Sequence, residues 1–179
     1  MVRHSPGARP DVSGPLIVTA ELPGDLQAWA ERLRQAHYPA ERNQVAAHVT
    51  LFHALPPSCE AELGNALAAA ARDHPPQPAR LEGAMSLGGG TALKIASPPM
   101  LALRDDLADR LRGLLTPPDQ HAPRLHVTVQ NKVSVKAARA LQAELELTIR
   151  PRDFRFPGLA LHRYRDGPWE LVKRWSFRG

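Results

Sequence analysis

Cysteine is almost absent from this chain. Cys59 is the single cysteine among 179 residues, which excludes an intramolecular disulfide and a cysteine-rich metal site. Aromatic residues make up only 5% of the sequence, and no apolar run reaches the roughly 18–20 residues of a membrane span. A signal peptide is indicated by a charged start, an apolar stretch and a small-residue cleavage site, and we find no such pattern. We therefore expect a cytoplasmic protein that does not enter the membrane.

The composition that remains is that of an ordinary globular protein. Hydrophobic residues account for 43% of the chain and charged residues for 23%. The length suits one domain with two lobes and is sufficient to bury a core. Residues 1–15 are rich in Pro, Gly, Ser and Arg and lack periodicity, which predicts a disordered tail. We expect residues 16–179 to form a single bilobed domain.

The net charge of +5 is concentrated near the end of the chain. Residues 150–179 carry eight Lys or Arg and three acidic residues, whereas residues 1–149 are balanced. Tyr164, Trp169 and Trp175 are interleaved with these charges. A basic segment with aromatic residues can attract and stack a nucleic acid or a nucleotide. Alternatively, this segment is the solvated face of a hairpin whose aromatic residues belong to the core. The sequence leaves both interpretations open.

The tripeptide His-Val-Thr occurs twice, at residues 48–50 and 126–128. An apolar residue follows each copy, Leu51 and Val129 respectively. With this composition, about 0.015 copies are expected in a random chain, so chance does not explain the repetition. Two copies suggest one site that is built from two symmetric halves.

Hydrophobic periodicity places the two copies in matched halves of the chain. Residues 16–73 predict a strand, a helix, a strand that holds the first motif and a second helix capped by Ser58. Residues 91–147 predict the same order, with the last helix capped by Ser134. We therefore expect a pseudo-two-fold site between two lobes.

Four further segments read as strands that extend these halves. Residues 81–87 and 91–97 flank three consecutive glycines, which is typical of a hairpin. Residues 154–164 and 169–177 predict a closing pair of strands joined by a Gly-Pro turn.

Side chains alternate faces along a strand, so each motif presents its His and its Thr on the same side. His48 and Thr50 then face His126 and Thr128 across the lobes. Two imidazoles that titrate near neutral pH can divide the acid and base roles of phosphoester transfer. The threonine hydroxyls can donate hydrogen bonds to the non-bridging phosphate oxygens. One such strand alone is more typical of a half-buried structural histidine, but the doubled motif favours a catalytic site.

The same alternation suggests which neighbours shape the pocket. Phe52 and Gln130 lie two positions beyond each Thr and are expected on the motif face, where Phe52 stacks on a base and Gln130 bonds one. Lys132 would neutralise phosphate, and Tyr164 or Trp169 would cover the mouth. A structural role is the alternative for each residue. No His-Glu-x-x-His and no cysteine cluster occurs, so we predict neither a metal site nor a cofactor.

The paired His-x-Thr-apolar strands resemble those of the 2H phosphoesterase superfamily. Three stretches are similar to bacterial 2′-5′ RNA ligase family proteins, namely HVTLFHALPP, HVTVQNKV and LHRYRDGPWELVKRW. The resemblance implies a bilobed α+β fold with two antiparallel sheets, helices outside and a central cleft. It also implies that His48, Thr50, His126 and Thr128 are catalytic.

The resemblance implies a function as well. Members hydrolyse 2′,3′-cyclic phosphates without a metal, and some reversibly join or cleave 2′-5′ linkages. By this analogy His126 activates water and His48 protonates the leaving ribose oxygen, with the swapped roles left open. The implied substrate is an RNA end or a small nucleotide with a cyclic phosphate. We expect a monomer without an obligatory protein partner. The alternatives are a non-catalytic module that binds RNA or nucleotides in the same cleft, and a hydrolase of a non-RNA cyclic phosphate.

Overall fold

Eight strands form two four-stranded antiparallel sheets in the computed structural model, which describes residues 11–179. The strands are β1 (Leu16–Ala20), β2 (Val49–Leu55), β3 (Gln77–Ser86), β4 (Thr91–Ala96), β5 (His126–Gln130), β6 (Arg152–Phe156), β7 (Gly158–Tyr164) and β8 (Trp169–Ser176). The α-helices are α1 (Gly24–His37), α2 (Glu60–Asp73), α3 (Pro98–Arg110) and α4 (Val135–Thr148).

The two sheets have matching strand orders. The first sheet, called sheet A, runs β2-β1-β7-β8, and the second, sheet B, runs β5-β4-β3-β6. The two strands that carry the motifs, β2 and β5, therefore occupy an edge of each sheet. The chain order β1-α1-β2-α2 recurs as β4-α3-β5-α4. The predicted α+β fold with two antiparallel sheets and two matched halves is confirmed.

The helices join the two sheets through one continuous hydrophobic core. Helix α2 packs on β7 and β8 of sheet A, and α4 packs on β3 and β4 of sheet B. Helix α1 connects two strands of sheet A but packs against β5 of sheet B. Each half of the chain therefore contributes to the support of the other.

Two helices begin at serine caps, but the cap predicted at Ser58 is wrong. The Oγ atom of Ser134 accepts a hydrogen bond from the amide of Ala137 at 3.1 Å, as predicted, and Ser97 caps α3 in the same way. Residues Pro57–Cys59 form a 3₁₀ turn, and α2 begins after it without a side-chain cap. Because Ser58 lies inside this turn, its hydroxyl does not cap the helix.

The strand predicted over residues 154–164 is also wrong. The structure divides it at Pro157 into β6, which pairs with β3 in sheet B, and β7, which pairs with β1 in sheet A. Proline has no amide hydrogen for a strand ladder, so the chain leaves one sheet and enters the other at this residue.

The predicted tail lies only partly within the described residues, because residues 1–10 are outside them. Residues 11–15 belong to no helix or strand. They nevertheless contact the domain, since the carbonyl of Val12 accepts a hydrogen bond from Arg163 and that of Pro15 from the amide of Tyr164. Within residues 11–179, none of the helices is both long and apolar enough to span a bilayer.

Candidate active site

The two motif strands meet at the junction of the sheets. Strands β2 and β5 contact each other although they belong to different sheets. His48 and His126 are both half-buried, as are Thr50 and Thr128, whereas the valine within each motif is fully buried. The alternation of burial expected for the motifs is therefore present, and both imidazoles are partly exposed.

Both motif histidines are oriented by the same hydrogen bond. Nδ1 of His48 lies 2.7 Å from the carbonyl oxygen of Ala46, and Nδ1 of His126 lies 2.6 Å from that of Arg124. A carbonyl oxygen only accepts, so Nδ1 carries the hydrogen in each ring. In the neutral ring Nε2 then holds the lone pair and is available for proton transfer.

The environment of His48 disfavours its charged form. Burial of the ring lowers the pKa of His48 to about 4, and the charges of Arg34, His162 and His126 act in the same direction. The hydrogen bond to Ala46 opposes this effect without reversing it. The contribution of His126 means that the two motif rings are within electrostatic range of each other. The neutral ring is therefore the favoured form of His48 near neutral pH.

Trp169 and His162 surround His48 on the inner face of sheet A. The ring centroids of His48 and Trp169 are 4.4 Å apart, and those of Trp169 and His162 are 5.6 Å apart. His162 Nε2 lies 3.0 Å from Oγ1 of Thr19. Burial lowers the pKa of His162 to about 4, and the charge of Arg174 adds to this effect. Trp169, His162 and Thr19 thus form a contiguous surface, called the wall, beside the first motif.

A cavity of about 360 Å³ opens beside this wall. Its lining contains the apolar faces of Trp169 and Leu171 together with polar groups, which are Thr19, Glu21, Gln27, Gln44, His48, His162 and Arg174. This volume falls at the lower end of the range for small-molecule pockets, and a mixture of apolar walls with a few polar groups is typical of them. The cavity lies on the side of His48 and not on that of His126.

The prediction that Phe52 shares the motif face is wrong. Thr50 pairs with Thr19 of β1, but the next paired residue is Phe52 opposite Val18, so Leu51 is an extra residue in a β-bulge. Paired residues on neighbouring strands share a face. Phe52 consequently turns into the core with Val18, where its side chain is fully buried.

Gln130 is displaced from the cleft in the same way. Thr128 pairs with Ala92 and Gln130 with Thr91, which makes Val129 the extra residue of a second bulge. Gln130 is buried, and its Oε1 accepts a hydrogen bond from Thr91 Oγ1 at 2.9 Å. The predicted position of Gln130 on the motif face is therefore wrong, and neither Gln130 nor Phe52 is retained as a substrate contact.

The other three predicted contacts are exposed or half-buried, and one of them lines the cavity. Lys132 is exposed in the turn after β5 and has a left-handed backbone with φ of 58°. Tyr164 is 40% exposed at the end of β7 and pairs with Trp169 at the start of β8. Of the three, Trp169 is the residue that the structure places against a motif histidine.

Ion pairs neutralise much of the basic C-terminal segment. Arg152 pairs with Asp25, Arg163 with Glu60, Arg165 with Asp11 and Glu170, and Arg174 with Glu21. Half of the eight cations in residues 150–179 thus have acidic partners from elsewhere in the fold or from the hairpin itself. The attraction of this segment for a nucleic acid is weaker than its sequence suggests.

Three residues beside the motifs were not predicted as site residues. His162 and Thr19 reach His48 only through the pairing of β1 with β7, which no local pattern indicates. Lys94 lies directly opposite His126 on β4. His162 gave at most a weak signal, because it is the first polar residue after an apolar start of β7 and Arg163 follows it.

Among residues 11–179, no group of three or more His, Cys, Asp or Glu side chains is arranged to hold a metal ion. The polar residues near the motifs include imidazoles, hydroxyls and amides. Such a set can move protons and bind an anion.

Comparisons with known proteins agree on the family and the fold. A family model described as the 2′-5′ RNA ligase superfamily matches residues 22–168. A search of curated protein sequences finds no match. The crystal structure of TT0787 from Thermus thermophilus is 20% identical, with a TM-score of 0.67 over 92% of this chain and 98% of that one.

Two structures of LigT from E. coli are also similar. The complex with NADP+ is 20% identical with a TM-score of 0.60, and the complex with 3′-AMP is 19% identical with a TM-score of 0.58. Each covers 93% of this chain and 99% of the LigT chain. At this level of identity the likeness establishes the shared fold.

Proposed function

This chain belongs to the 2′-5′ RNA ligase superfamily, and we propose that it is a phosphodiesterase that hydrolyses 2′,3′-cyclic phosphates of RNA ends or nucleotides without a metal ion. One observation carries the proposal: both motif histidines hold Nδ1 against the carbonyl two residues earlier and leave Nε2 available. Two imidazoles with the same orientation at the junction of two lobes suit the acid and the base of an in-line displacement.

The position of the cavity supports a division of labour between the histidines. The nucleoside occupies the cavity beside His48, with its base against Trp169 and its cyclic phosphate between His48 and His126. Nε2 of His126 takes a proton from water as the new P–O bond forms on the far side. The bond from phosphorus to one ribose oxygen breaks, and Nε2–H of His48 protonates that oxygen. Exchange with solvent then restores both rings.

The lowered pKa of His48 is compatible with its role as the acid. Burial and the nearby positive charges of the protein disfavour the protonated ring. A bound phosphate brings a negative charge next to the ring and raises the pKa again. His48 therefore gains its proton together with the substrate.

Hydroxyl and cationic side chains complete the proposed site. Thr50 and Thr128 donate hydrogen bonds to the non-bridging oxygens, where negative charge increases in the transition state. Lys132 adds a positive charge near the exit of β5, and Tyr164 lies at the rim beside Trp169. LigT, which shares the fold, has been solved with 3′-AMP, and this supports a nucleotide-sized substrate.

The proposal is tested with a panel of 2′,3′-cyclic mononucleotides, an RNA with a 2′,3′-cyclic end and a 2′-5′-linked dinucleotide, all in the presence of a chelator. ³¹P NMR identifies the position of the phosphate in each product. We expect turnover of at least one cyclic phosphate, and His48→Ala and His126→Ala should each lower the rate by roughly 10²–10⁴-fold.

His53→Ala and His121→Ala are the matched controls, because both histidines are exposed and lie near the motifs in sequence. They should retain nearly the full rate. Unchanged rates in both motif variants would exclude two-histidine catalysis. Salt-sensitive RNA binding without any product would instead favour a non-catalytic binding module.

A further inference from the structure

A buried arginine lies at the junction of the two lobes without a carboxylate partner. Arg34 of α1 is only 3% exposed. Its Nη1 donates to the carbonyl of Thr128 at 2.7 Å, and its Nε donates to Oδ1 of Asn43 at 3.1 Å. Its guanidinium lies 4.3 Å from the centre of the Tyr38 ring. Within residues 11–179 no carboxylate lies within ion-pair distance of it.

Such an arrangement is unusual for a cation. Charged groups inside proteins are normally paired, because removal from water is costly. Burial lowers the pKa of Arg34, but a guanidinium keeps its charge in proteins. The hydrogen-bond partners of Arg34 are neutral dipoles. The carboxylate of Glu31 favours its charged form only from beyond ion-pair distance, so the positive charge is balanced in part.

The charge of Arg34 reaches both motifs. It bonds the main chain of Thr128 in the second motif. It is also among the charges that lower the pKa of His48 in the first motif, after the larger effect of burial. Arg34 thus lies behind the place where the proposed reaction requires an anion.

We propose that Arg34 is a positioning residue whose buried charge attracts the phosphate of the substrate into the cleft without touching it. The inference rests on the proposed function, because it assigns the anion to the same cleft. Salt screens a buried charge poorly, and a low-dielectric environment extends its reach. When a phosphate occupies the cleft, it supplies the negative charge that Arg34 lacks within the protein.

The pseudo-two-fold relation provides a comparison within the molecule. Arg104 of α3 is 2% exposed, donates to the carbonyl of Leu51 after the first motif, and lies 4.4 Å from the centre of the Phe52 ring. It differs in how near its carboxylates lie, because Asp105 Oδ1 is 3.9 Å from Nη1 of Arg104 and Asp119 also favours its charged form. Arg104 therefore supports its motif strand as Arg34 does, but its charge is balanced.

Three variants separate charge from shape. Arg34→Gln removes the charge and keeps amide donors, whereas Arg34→Lys keeps the charge and loses the planar fork. Asn43→Asp changes only the group that Arg34 Nε already contacts, and it places a carboxylate there. The last variant is the least disruptive to folding, since Asn and Asp have nearly the same shape.

The readouts are the affinity for inorganic phosphate, by calorimetry, and the pKa of His48, by NMR titration. We expect Arg34→Gln and Asn43→Asp to weaken phosphate binding about tenfold or more and to raise the pKa of His48. Arg34→Lys should keep the affinity within about threefold. Arg104→Gln should lower the unfolding temperature and weaken phosphate binding by the folded protein less than Arg34→Gln does.

Wild-type phosphate affinity in Asn43→Asp would overturn the inference, as would equal losses in Arg34→Lys and Arg34→Gln. Asn65→Asp adds the same charge at an exposed position of α2 and controls for net charge. These readouts do not depend on turnover. If the wild-type protein hydrolyses no cyclic phosphate but the variants behave as expected, the proposed function fails and the role of Arg34 as an anion-attracting cation stands.

Discussion

Two histidines that are identical in their local sequence differ in their surroundings. His48 and His126 share a motif and a backbone hydrogen bond. Trp169 stacks at a tilt against His48, whereas Lys94 lies opposite His126 on the neighbouring strand. One ring is therefore covered by an apolar surface, and the other has as its cross-strand neighbour a lysine whose ammonium group pairs with Glu82. These different surroundings suit the different roles proposed for the two rings.

Replacement of Trp169 tests the cause of the lowered pKa of His48. Burial is the largest contribution to that lowering, and the indole ring lies 4.4 Å from the imidazole. Trp169→Leu should admit water to the ring and raise the pKa of His48 from about 4 towards its ordinary value. The pH dependence of the His48 ring signals in NMR provides the measurement.

Trp175→Leu is the matched control, since Trp175 lies on the same strand but pairs with Leu159 on the core side. It should lower stability and leave the titration of His48 as in the wild type. If Trp169→Leu leaves the pKa of His48 near 4 as well, the tryptophan does not cause the desolvation of the imidazole. The neighbouring charges would then be the main cause of the lowered pKa.

The repeated tripeptide predicts that His48, Thr50, His126 and Thr128 share one site, and β2 and β5 contact each other in the fold. His162 was not predictable, because its proximity to His48 depends on which strand pairs with β1. Arg34 carried no signal either, since an arginine in an amphipathic helix normally faces solvent. Residues that act through tertiary pairing leave little trace in the local sequence.

Strand β2 is an edge strand, and a buried aspartate replaces the missing neighbour. The carboxylate of Asp119 accepts hydrogen bonds from the amides of His53 and Ala54 and lies 3.0 Å from Nδ1 of His53. Burial alone raises the pKa of Asp119, but these bonds outweigh it and hold the pKa below its ordinary value. The unpaired amides of the first motif strand are thereby satisfied.

We expect Asp119→Asn to destabilise this edge. The amide nitrogen of Asn cannot accept a hydrogen bond, so one group of β2 loses its charge-assisted partner inside the fold. The free energy of unfolding in urea should fall by about 2–3 kcal/mol. Asp109→Asn is the control, because Asp109 is exposed and pairs only with exposed Arg112, and it should change stability by less than about 0.5 kcal/mol. Equal stability of the two variants would contradict the role given to Asp119.

The elements show where sequence reasoning succeeds and where it fails. The helices and the glycine hairpin follow from periodicity, prolines and turn residues. The two bulges after Thr50 and Thr128 have no sequence signature, so strict alternation placed Phe52 and Gln130 on the wrong face. Pro157 did carry a signal for the break between β6 and β7, since proline is confined to strand ends and edges.

In the whole molecule, the two halves are interlocked. Arg34, from the helix between two strands of sheet A, bonds the motif strand of sheet B. Arg104, from the helix between two strands of sheet B, bonds the motif strand of sheet A. The distance between the histidines therefore depends on both lobes at once. Each motif strand is thus tied to a helix of the other half.

The interlocked core also predicts how stability depends on pH. Histidines titrate near 6.5 in an unfolded chain, whereas burial lowers the pKa of both His48 and His162 to about 4 in the folded protein. Between these values the unfolded chain binds more protons, so the free energy of unfolding increases with pH. Each histidine contributes at most about 1.4 kcal/mol per pH unit, and the contribution is lost as the pH falls from about 6.5 to about 4.

Urea unfolding at a series of pH values between about 4.5 and 7.5 measures this dependence. His48→Gln and His162→Gln should each reduce the slope below pH 6.5, and the double variant should reduce it further, because the two protonation events are separate. His121→Gln replaces an exposed ring and should keep the wild-type slope. Two outcomes would contradict this prediction: a wild-type free energy of unfolding that stays constant across this range, or a double variant with the wild-type slope. Either would show that the two rings gain protons as easily in the folded protein as in the unfolded chain.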